Sequence, residues 1–566
     1  MTATTPRNDL ISRARAWAEA DPDPVTRAEL EGLISRDDVA EIEERFSEPL
    51  VFGTAGLRGA LGAGPARMNR VVVRQTTAGV AEWIRQRGED ATSRGLVVGR
   101  DARHGSDAFA DDTVEVAASA GVRVLRLERP LPTPITAFAV RHLRAAAGVM
   151  VTASHNPPRD NGYKVYAQDG AQIIPPDDSR IAELSARIGA PPAEPLSANA
   201  ASRVELIDQR GILDAYASFA LDLLAPTPER ELRCVYTPMH GVGGAVVPEL
   251  FIRASFEPLI PVPAQIEPDP DFPTVSFPNP EEPGALDLAL AQAVQSDADL
   301  VVANDPDADR LAIAVRDATR GGYRVLSGNE LGSILGDHLI SSSVGADRLV
   351  ATTIVSSRML SAIAEDGGVA YAETLTGFKW IARAAKGQNR RLLFGYEEAL
   401  GYAVSEQVAD KDGMTAALVA AGLAAHERAR GRTLLDRLGE LERRFGVHAT
   451  AQVSLWREGP EGIAEIADSM EHLRTNPPEA IGDRKVTGIV DYHDGALGLT
   501  PSDVLAFFLD DGTRVVVRPS GTEPKLKAYV EVRTAPIGSG DLEGERARAN
   551  AELDVLRDVV TALLSN

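Results

Sequence analysis

Residues 148–157 are GVMVTASHNP: an apolar run that predicts a buried strand, followed by a polar loop with Ser154 at its centre. Far downstream, a second apolar run at residues 300–303 leads into the acidic sequence DPDADR at residues 305–310. A serine hydroxyl can carry a phosphoryl group, and three neighbouring carboxylates can hold a divalent cation. Side by side, these two loops would support metal-assisted phosphoryl transfer through a phosphoserine.

The rest of the chain repeats this alternation of apolar runs and amphipathic segments, which predicts α/β units around largely parallel sheets. The chain has 566 residues, of which 44% are hydrophobic, so it exceeds the size of one core and several domains are expected. The pattern divides it into a helical prelude and four domains, at residues 1–46, 47–203, 204–325, 326–446 and 447–566. Ligands gather at the carboxyl ends of strands in open α/β sheets, so we expect the polar loops of the four domains to line one cleft.

The serine loop, residues 152–157, offers Ser154 as a nucleophile, and Lys164 follows ten residues later. A serine that only caps a helix or forms a turn is the alternative. His155 is a candidate proton carrier, although a histidine that orients the loop is the simpler explanation.

The acidic loop, residues 304–310, contains Asp305, Asp307 and Asp309. An EF-hand needs Gly at its sixth position and Glu at its twelfth, and this chain has arginines at both, which excludes that kind of calcium loop. Three adjacent carboxylates repel one another unless a cation lies among them, and magnesium needs few protein ligands. Arg310 could bind the same phosphate bidentately. An acidic turn with solvated carboxylates is the alternative.

The glutamate loop, GYEEALG at residues 395–401, follows a third apolar run. Glu397 and Glu398 could accept hydrogen bonds from sugar hydroxyls, although glutamates are also favoured in the first turn of an ordinary helix. Most surface lysines are only solvated, but two lysines nearby could reach a phosphate. The neighbouring residues that could contact the same ligand are Thr376, Gly377, Lys379 and Lys411.

The basic loop, RPSGTEPKLK at residues 518–527, combines a guanidinium group, hydroxyls and a glycine that lets backbone N–H groups turn inward. Such a nest binds phosphate, and a plain basic β-turn is the alternative. The candidate phosphate-binding residues in this loop are Arg518, Ser520, Gly521, Thr522 and Lys527.

Charge and composition exclude several classes of partner and location. A formal charge of -23 repels nucleic acids and anionic membranes, so neither is expected to bind. Cys234 is the only cysteine, which favours a reducing compartment. The N-terminus lacks the apolar core of a signal peptide, and the longest apolar run, residues 416–425, is too short to span a bilayer. We therefore expect a cytoplasmic protein, and a monomer or weak dimer.

The four loops occur in the order found in the α-D-phosphohexomutase superfamily, the phosphoglucomutases and phosphomannomutases, which the chain resembles over nearly its whole length. The sequence FGTAGLRG at residues 52–59, which contains Arg58, resembles the superfamily's N-terminal motif as well. The resemblance implies four domains around a central cleft. The first three would be α/β domains with mixed, largely parallel sheets, and the fourth a smaller α+β domain.

The resemblance also implies a mechanism. Phosphorylated Ser154 would give its phosphoryl group to a bound sugar monophosphate, and the resulting bisphosphate would turn around and return its other phosphate. One magnesium ion would be held by Ser154 and the three aspartates of the acidic loop. Lys164 is the preferred acid and base, because the arginine side chain of Arg58 stays protonated. Lys379 and Lys411 would steady the substrate.

The sugar is predicted from the glutamate loop, where Tyr396 and Ala399 replace the Gly and Ser of the common phosphoglucomutase pattern. This version, with the long prelude, resembles the branch of bacterial glucose-type mutases and their phosphopentomutase relatives. We expect interconversion of glucose 1-phosphate and glucose 6-phosphate, with glucose 1,6-bisphosphate as intermediate and activator. Mannose and pentose phosphates are alternative substrates. A serine-dependent sugar phosphatase and a noncatalytic sugar-phosphate sensor are alternatives of a different class.

Overall fold

The computed structural model describes residues 4–53, 56–224, 229–319, 321–457, 459–520 and 525–565. The chain forms two compact units, which are described separately. The first contains residues 1–314 and 407–421, and the second contains residues 315–406 and 422–566.

The first unit begins with three helices that pack on one another around Ala14, Leu30 and Ile42. The break between the first two helices follows from DPDP at residues 21–24, because Asp23 caps the second helix by accepting a hydrogen bond from Val25 N, 2.8 Å away. The three helices are α1 (Thr4–Ala20), α2 (Pro24–Ser35) and α3 (Val39–Phe46).

A six-stranded mixed sheet follows, with strand order β1-β5-β4-β2-β3-β6. The pairs β4–β2, β2–β3 and β3–β6 are parallel, whereas β5 and β1 add to the β4 edge in antiparallel fashion. The strands are β1 (Leu57–Ala60), β2 (Leu96–Arg100), β3 (Val124–Arg126), β4 (Ala147–Val151), β5 (Asp160–Ala167) and β6 (Val204–Leu206). The helices are α4 (Arg70–Arg85), α5 (Glu89–Arg94), α6 (Ser106–Ser119), α7 (Thr133–His142), α8 (Asp177–Ile188) and α9 (Ala198–Ala201).

The second sheet has five strands in the order β11-β10-β9-β7-β8, and β7 pairs in parallel with both β8 and β9. Strand β9 is fully buried and leads directly into the acidic loop. The strands are β7 (Cys234–Thr237), β8 (Ile260–Pro261), β9 (Leu300–Ala303), β10 (Ala312–Arg316) and β11 (Tyr323–Val325). The helices are α10 (Gln209–Leu221), α11 (Val247–Arg253) and α12 (Asp287–Ser296).

The third sheet has the order β13-β12-β14-β15, with β12 parallel to both neighbours and β15 antiparallel to β14. Its strands are β12 (Arg348–Thr353), β13 (Ala370–Thr374), β14 (Arg391–Glu397) and β15 (Gly401–Ala403). The helices are α13 (Gly328–Ser341), α14 (Met359–Asp366), α15 (Phe378–Ile381), α16 (Gly413–Ala429) and α17 (Leu434–Phe445).

The fourth sheet is entirely antiparallel, in the order β16-β21-β20-β19-β18-β17. Its strands are β16 (His448–Trp456), β17 (Ala480–Ile481), β18 (Arg484–Asp491), β19 (Leu505–Leu509), β20 (Arg514–Pro519) and β21 (Lys525–Arg533), and its helices are α18 (Gly459–Thr475) and α19 (Leu542–Ser565). Three α/β sheets with mixed strand directions and a C-terminal antiparallel sheet with helices confirm the predicted fold class. Among the described helices, none combines the length and the apolar composition needed to cross a membrane.

In the second unit, a buried carboxylate, Glu531 on β21, connects the domains of the third and fourth sheets. It accepts hydrogen bonds from Ser357 Oγ at 2.9 Å, Arg358 Nε at 2.7 Å and Arg358 N at 2.8 Å, and His448 Nδ1 lies 2.9 Å away. Burial disfavours the charged form, but His448, Arg514 and Arg358 outweigh it and hold the pKa of Glu531 well below its ordinary value. The network therefore depends on an ionised glutamate.

The substitution Glu531→Gln should destabilise the second unit by about 3–5 kcal/mol, because it leaves the surrounding cations buried without their counter-charge. In calorimetry at pH 7 this should appear as a Tm lower by several degrees. Because the folded pKa is depressed, the contribution is present at neutral pH and is lost as the pH falls through that pKa, so the difference should shrink in acid. The control Glu543→Gln removes an exposed ion pair with Arg546 and should cost at most about 1 kcal/mol. Equal effects of the two changes would contradict the role of Glu531.

Candidate active site

The serine loop leaves the end of β4 and turns sharply at Ser154, whose φ of 54° lies in the left-handed region. The Thr152 hydroxyl supports this turn by accepting a hydrogen bond from Ser154 N at 2.8 Å. Ser154 is 1% exposed. A non-glycine residue held in this conformation within a buried loop is typical of a functional position.

The acidic loop is closed by its own hydrogen bonds. Asn304 Nδ2 donates to Arg310 O at 2.6 Å, and Arg310 N donates to Asp305 Oδ1 at 2.9 Å. Ala308 adopts a φ of 54°, which turns the chain between Asp307 and Asp309. All three aspartates are completely buried. The loop thus presents three carboxylates in one small volume.

The structure brings the serine loop and the acidic loop together. Ser154 Oγ donates a hydrogen bond to Asp305 Oδ2 over 2.9 Å. Thr133, at the start of α7, joins the same two domains, because its hydroxyl donates to Asp307 Oδ2 at 2.6 Å and its N–H to Asp307 O at 2.9 Å. The hydroxyl and the carboxylates therefore face one common space.

Lys164 lies on β5 and is completely buried. Its register partner on β4 is Met150, which precedes Ser154 by four residues in the chain. Its Nζ donates to Asp307 Oδ2 and to Asp309 Oδ2, at 2.8 Å each. Burial disfavours the ammonium, but these two carboxylates outweigh it and raise the pKa of Lys164. The Lys164 side chain is thus a charged ammonium group at neutral pH.

Lys411 belongs to the first unit, in the segment 407–421, and not to the part of the chain that carries the glutamate loop. Its Nζ lies 3.3 Å from Asp309 Oδ2. The preceding residue, Asp410, accepts hydrogen bonds from the Tyr166 hydroxyl and from Gln172 Nε2, at 2.9 Å each. The backbone approaches so closely that a Cβ on Gly413 would lie 2.3 Å from Arg310 O.

The three carboxylates fit a metal ion. One oxygen from each lies within 4.8 Å of the others, and Asp307 Oδ1 and Asp309 Oδ1 are buried without a hydrogen-bond partner in the described part of the chain. Buried carboxylate oxygens of this kind are costly unless a cation accompanies them. Burial and the charges of Asp307 and Asp309 raise the pKa of Asp305 well above its ordinary value, which a divalent cation would reverse.

Arg58 and His155 lie at the edge of this space. Arg58 Nη1 donates to Asn156 Oδ1 over a long 3.4 Å, and burial lowers the pKa of the Arg58 guanidinium. His155 Nδ1 lies 3.3 Å from Ser154 Oγ. Burial, followed by the positive charges of Arg310 and Arg58, holds the pKa of His155 well below its ordinary value. The imidazole next to the serine is therefore neutral.

Sequence reasoning missed two residues that contact these loops, Thr133 and Arg103. Arg103 follows β2 and donates to backbone carbonyls throughout the serine loop. The sequence feature that could have identified Arg103 is GRDAR at residues 99–103. These polar residues come directly after an apolar strand, at the same strand end as the serine loop.

In the second unit, the glutamate loop is held by hydrogen bonds of its own domain. Glu397 Oε1 accepts from Gly377 N at 2.7 Å, which brings two predicted residues together. Glu398 Oε2 accepts from Thr353 Oγ1 at 3.1 Å and Ser356 Oγ at 3.0 Å. Thr376 is half-buried next to Gly377, and Lys379 is buried on helix α15.

Tyr396, which stands where the common phosphoglucomutase loop has Gly, is a residue of the hydrophobic core. The ring is completely buried, stacks near Phe394 and Tyr402, and its hydroxyl donates to Ser357 O at 3.3 Å. The Tyr396 side chain thus supports the strand and does not replace a sugar contact.

The basic loop connects β20 and β21. Arg518 and Lys527 are direct register partners on these strands, and Ser520 N donates to Lys525 O at 2.8 Å. All three predicted side chains in the described part of this loop, those of Arg518, Ser520 and Lys527, are half-buried. The predicted residues Gly521 and Thr522 lie outside the described residues.

Four family models match the chain in order. They are the phosphoglucomutase/phosphomannomutase alpha/beta/alpha domain I at residues 49–191, domain II at 213–321, domain III at 327–445 and the C-terminal domain at 461–538. The four predicted loops fall inside these four matches.

Curated relatives carry different sugar names. A protein of Haemophilus influenzae described as a probable phosphomannomutase is 43% identical, over 82% of this chain and 93% of its own length. The human phosphopentomutase is 35% identical, over 97% and 95%. A phosphoglucomutase of Staphylococcus haemolyticus is 35% identical, over 87% and 91%. The chain therefore belongs to the α-D-phosphohexomutase superfamily and is a phosphosugar mutase, an isomerase that transfers a phosphoryl group within its substrate.

Proposed function

We propose that this mutase interconverts glucose 1-phosphate and glucose 6-phosphate through a phosphorylated Ser154. The observation that carries the proposal is the 2.9 Å contact between Ser154 Oγ and Asp305 Oδ2, in a buried cluster with two carboxylate oxygens that have no hydrogen-bond partner among the described residues. A bound cation relieves the repulsion between the carboxylates of such a cluster.

Magnesium is the proposed ion, one per site, held by Asp305, Asp307, Asp309 and an oxygen on Ser154. Bound there, it would withdraw charge from the phosphoryl group in transfer. The two oxygens of Asp307, and likewise those of Asp309, differ in their hydrogen bonds. The Oδ2 atoms of Asp307 and Asp309 accept hydrogen bonds from Lys164, which leaves the two Oδ1 atoms for the ion.

The proton transfers are assigned to Lys164, with Arg58 as the alternative. The bond between phosphorus and Ser154 Oγ breaks as the bond to the sugar oxygen forms, so the proton of the sugar hydroxyl must leave and Ser154 must regain one. Lys164 starts as an ammonium group, so it can give its proton to Ser154 Oγ as that bond breaks and take up the proton that the sugar hydroxyl loses. The arginine side chain stays protonated even where burial lowers its pKa. Neutral His155, at 3.3 Å from Ser154 Oγ, is assigned to orienting the hydroxyl.

Recognition of the substrate is assigned to residues of the other loops. Glu397 and Glu398 would accept hydrogen bonds from sugar hydroxyls, with support from the segment that holds Thr376, Gly377 and Lys379. Lys411 and Arg310 would contact the transferring phosphate from the edge of the acidic loop. The idle phosphate would be bound by the basic loop, through Arg518, Ser520, Gly521, Thr522 and Lys527. The intermediate that turns around between the two transfers would be glucose 1,6-bisphosphate.

The choice of glucose rests on the YEEA version of the glutamate loop together with the helical prelude, and the Staphylococcus relative supports it. The Haemophilus relative favours mannose phosphates, and the human relative favours pentose phosphates as the second candidate substrates. The proposal also places the enzyme in the cytoplasm as a monomer or weak dimer, because of its charge of -23 and its single, buried cysteine.

Ser154→Ala should lower mutase turnover by at least about a thousandfold, as expected for loss of a covalent nucleophile. Binding of glucose 1-phosphate, measured by calorimetry, should stay largely intact. Ser185→Ala is the matched control, since it removes a buried hydroxyl that donates to Ile181 O within helix α8. Appreciable turnover by the Ser154 variant would refute the assigned nucleophile.

Asp307→Asn keeps a hydrogen-bond acceptor for Thr133 but removes a charged ligand, so manganese or magnesium affinity should fall at least about tenfold. Metal binding to the protein without substrate is the measurement, by manganese EPR or calorimetry. Asp317→Asn, at a buried aspartate in the turn after β10, should leave the affinity unchanged. A wild-type metal affinity in the Asp307 variant would rule out the proposed ligand set.

A kinetic panel of the 1-phosphates of glucose, mannose, glucosamine, ribose and deoxyribose decides the sugar. We expect kcat/KM for glucose to exceed that for mannose at least about tenfold, the size of discrimination that a few contacts supply. Release of inorganic phosphate should be slower than isomerisation with every sugar. A higher value for mannose or a pentose would transfer the proposal to that sugar, and phosphate release that outpaces isomerisation would indicate a phosphatase.

A further inference from the structure

We propose that Arg103 is a positioning residue that holds the serine loop in the conformation in which Ser154 Oγ meets Asp305. This inference rests on the proposed role of Ser154 as the phosphoryl carrier. Arg103 is 5% exposed and lies three residues beyond the end of β2, at the same strand end as the serine loop. In the described part of the chain its guanidinium donates hydrogen bonds to backbone carbonyls and not to the three aspartates, and its positive charge attracts Asp307. Any effect that remains when the charge is kept therefore passes through the loop.

The guanidinium group of Arg103 donates to four backbone carbonyls of the serine loop and the residues that follow it. Nη2 donates to Ser154 O and Asn156 O, at 2.5 Å each. Nη1 donates to Pro157 O at 2.9 Å and to Asp160 O at 3.3 Å. One side chain therefore satisfies the polar backbone across the turn, including the carbonyl of Ser154 itself.

The turn needs such support because its backbone is strained. A left-handed φ is unfavourable for a residue other than glycine, and Ser154 adopts a φ of 54°. The Thr152 hydroxyl fixes the N–H side of Ser154, and Arg103 fixes the carbonyl side. Together they set the direction of the Cα–Cβ bond, and so the position of Oγ.

Arg103 is itself held from both domains that meet at the site. Its guanidinium lies over the ring of Phe272, with 4.8 Å between the guanidinium carbon and the ring centroid. Phe272 belongs to the second domain, which also carries the acidic loop. In the first domain, Asp101 Oδ1 accepts a hydrogen bond from Arg103 N at 3.0 Å, and Asp101 Oδ2 lies 3.4 Å from Arg103 Nε. The Arg103 side chain thereby connects the serine loop to the domain that supplies Asp305.

Lysine cannot reproduce this arrangement, because its donors radiate from one nitrogen, whereas the arginine fork places them on separate nitrogens in one plane. Arg103→Lys keeps the charge and loses the fork. Arg74 is the matched control, since it is a buried arginine of the same domain whose hydrogen bonds go to residues outside the serine loop. It donates to the carbonyls of Pro191 and Pro192 and to the carboxylates of Asp112 and Glu115. Arg74→Lys makes the same chemical change at a site that contributes no residue to the proposed reaction.

The experiment compares kcat and KM for glucose 1-phosphate, phosphorylation of Ser154 by glucose 1,6-bisphosphate in intact mass spectra, manganese affinity and Tm in both variants. For Arg103→Lys we expect kcat to fall about 10- to 100-fold, the usual effect of losing a residue that orients a reacting group. The rate of Ser154 phosphorylation should fall with it, while KM and manganese affinity stay near the wild-type values. Arg74→Lys should lower Tm at least as much as Arg103→Lys and keep the wild-type kcat.

Wild-type kcat in Arg103→Lys would overturn the inference, and so would an equal loss of kcat in Arg74→Lys, which would show a purely structural effect. If Arg103→Lys does not fold, Phe272→Leu removes the aromatic face behind the guanidinium and should lower kcat with KM unchanged. An unchanged kcat in that variant would overturn the inference as well. A different result would refute the proposed function, and the assignment of Arg103 with it. In that case glucose 1,6-bisphosphate does not phosphorylate Ser154 of the wild-type protein, and the protein isomerises no sugar phosphate.

Discussion

Three carboxylates buried within one loop are the constraint around which the first unit is built. Asp305, Asp307 and Asp309 cannot all be charged in a dry interior unless cations surround them. Lys164 supplies one cation from the first sheet. Lys411 supplies another from residues 407–421, which follow the strands of the third sheet in the sequence and belong to the first unit. The ion pairs of Lys164 with Asp307 and Asp309 connect the first sheet to the acidic loop of the second domain.

The same constraint explains why the protein neutralises the cluster incompletely. Lys164 and Thr133 both donate to the Oδ2 side of Asp307, and both lysines lie on the Oδ2 side of Asp309. The opposite oxygens stay buried without a partner among the described residues. An arrangement that is poor for stability alone is suited to binding a metal ion, because the ligands are oriented before the ion arrives.

The parts of the site that lie within single strand-loop segments could be predicted from the sequence. An apolar run fixes where a strand ends, and polar residues directly after it lie at the ligand-binding edge, as Ser154 and the three aspartates do. Thr133 and the return of Lys411 to the first unit depend on how domains pack, which no local pattern encodes. The polar sequence after β2 marks the strand end at which Arg103 lies, but it does not show which loop Arg103 contacts. Tyr396 shows a related limit, since the sequence marked it as a difference in a ligand loop, whereas the structure shows that it is a core residue.

Each of the two loops that meet at the site contains a strained turn, and hydrogen bonds hold each turn in place. Ser154 and Ala308 both adopt left-handed backbone conformations at φ of 54°, one in each loop. In the acidic loop, the hydrogen bonds from Asn304 Nδ2 to Arg310 O and from Arg310 N to Asp305 Oδ1 close the turn internally. The serine loop relies on an outside donor, Arg103, for its carbonyls. The acidic loop is thus a preformed unit, whereas the position of the serine depends on a side chain held between two domains, so domain packing and phosphoryl transfer are coupled through Arg103.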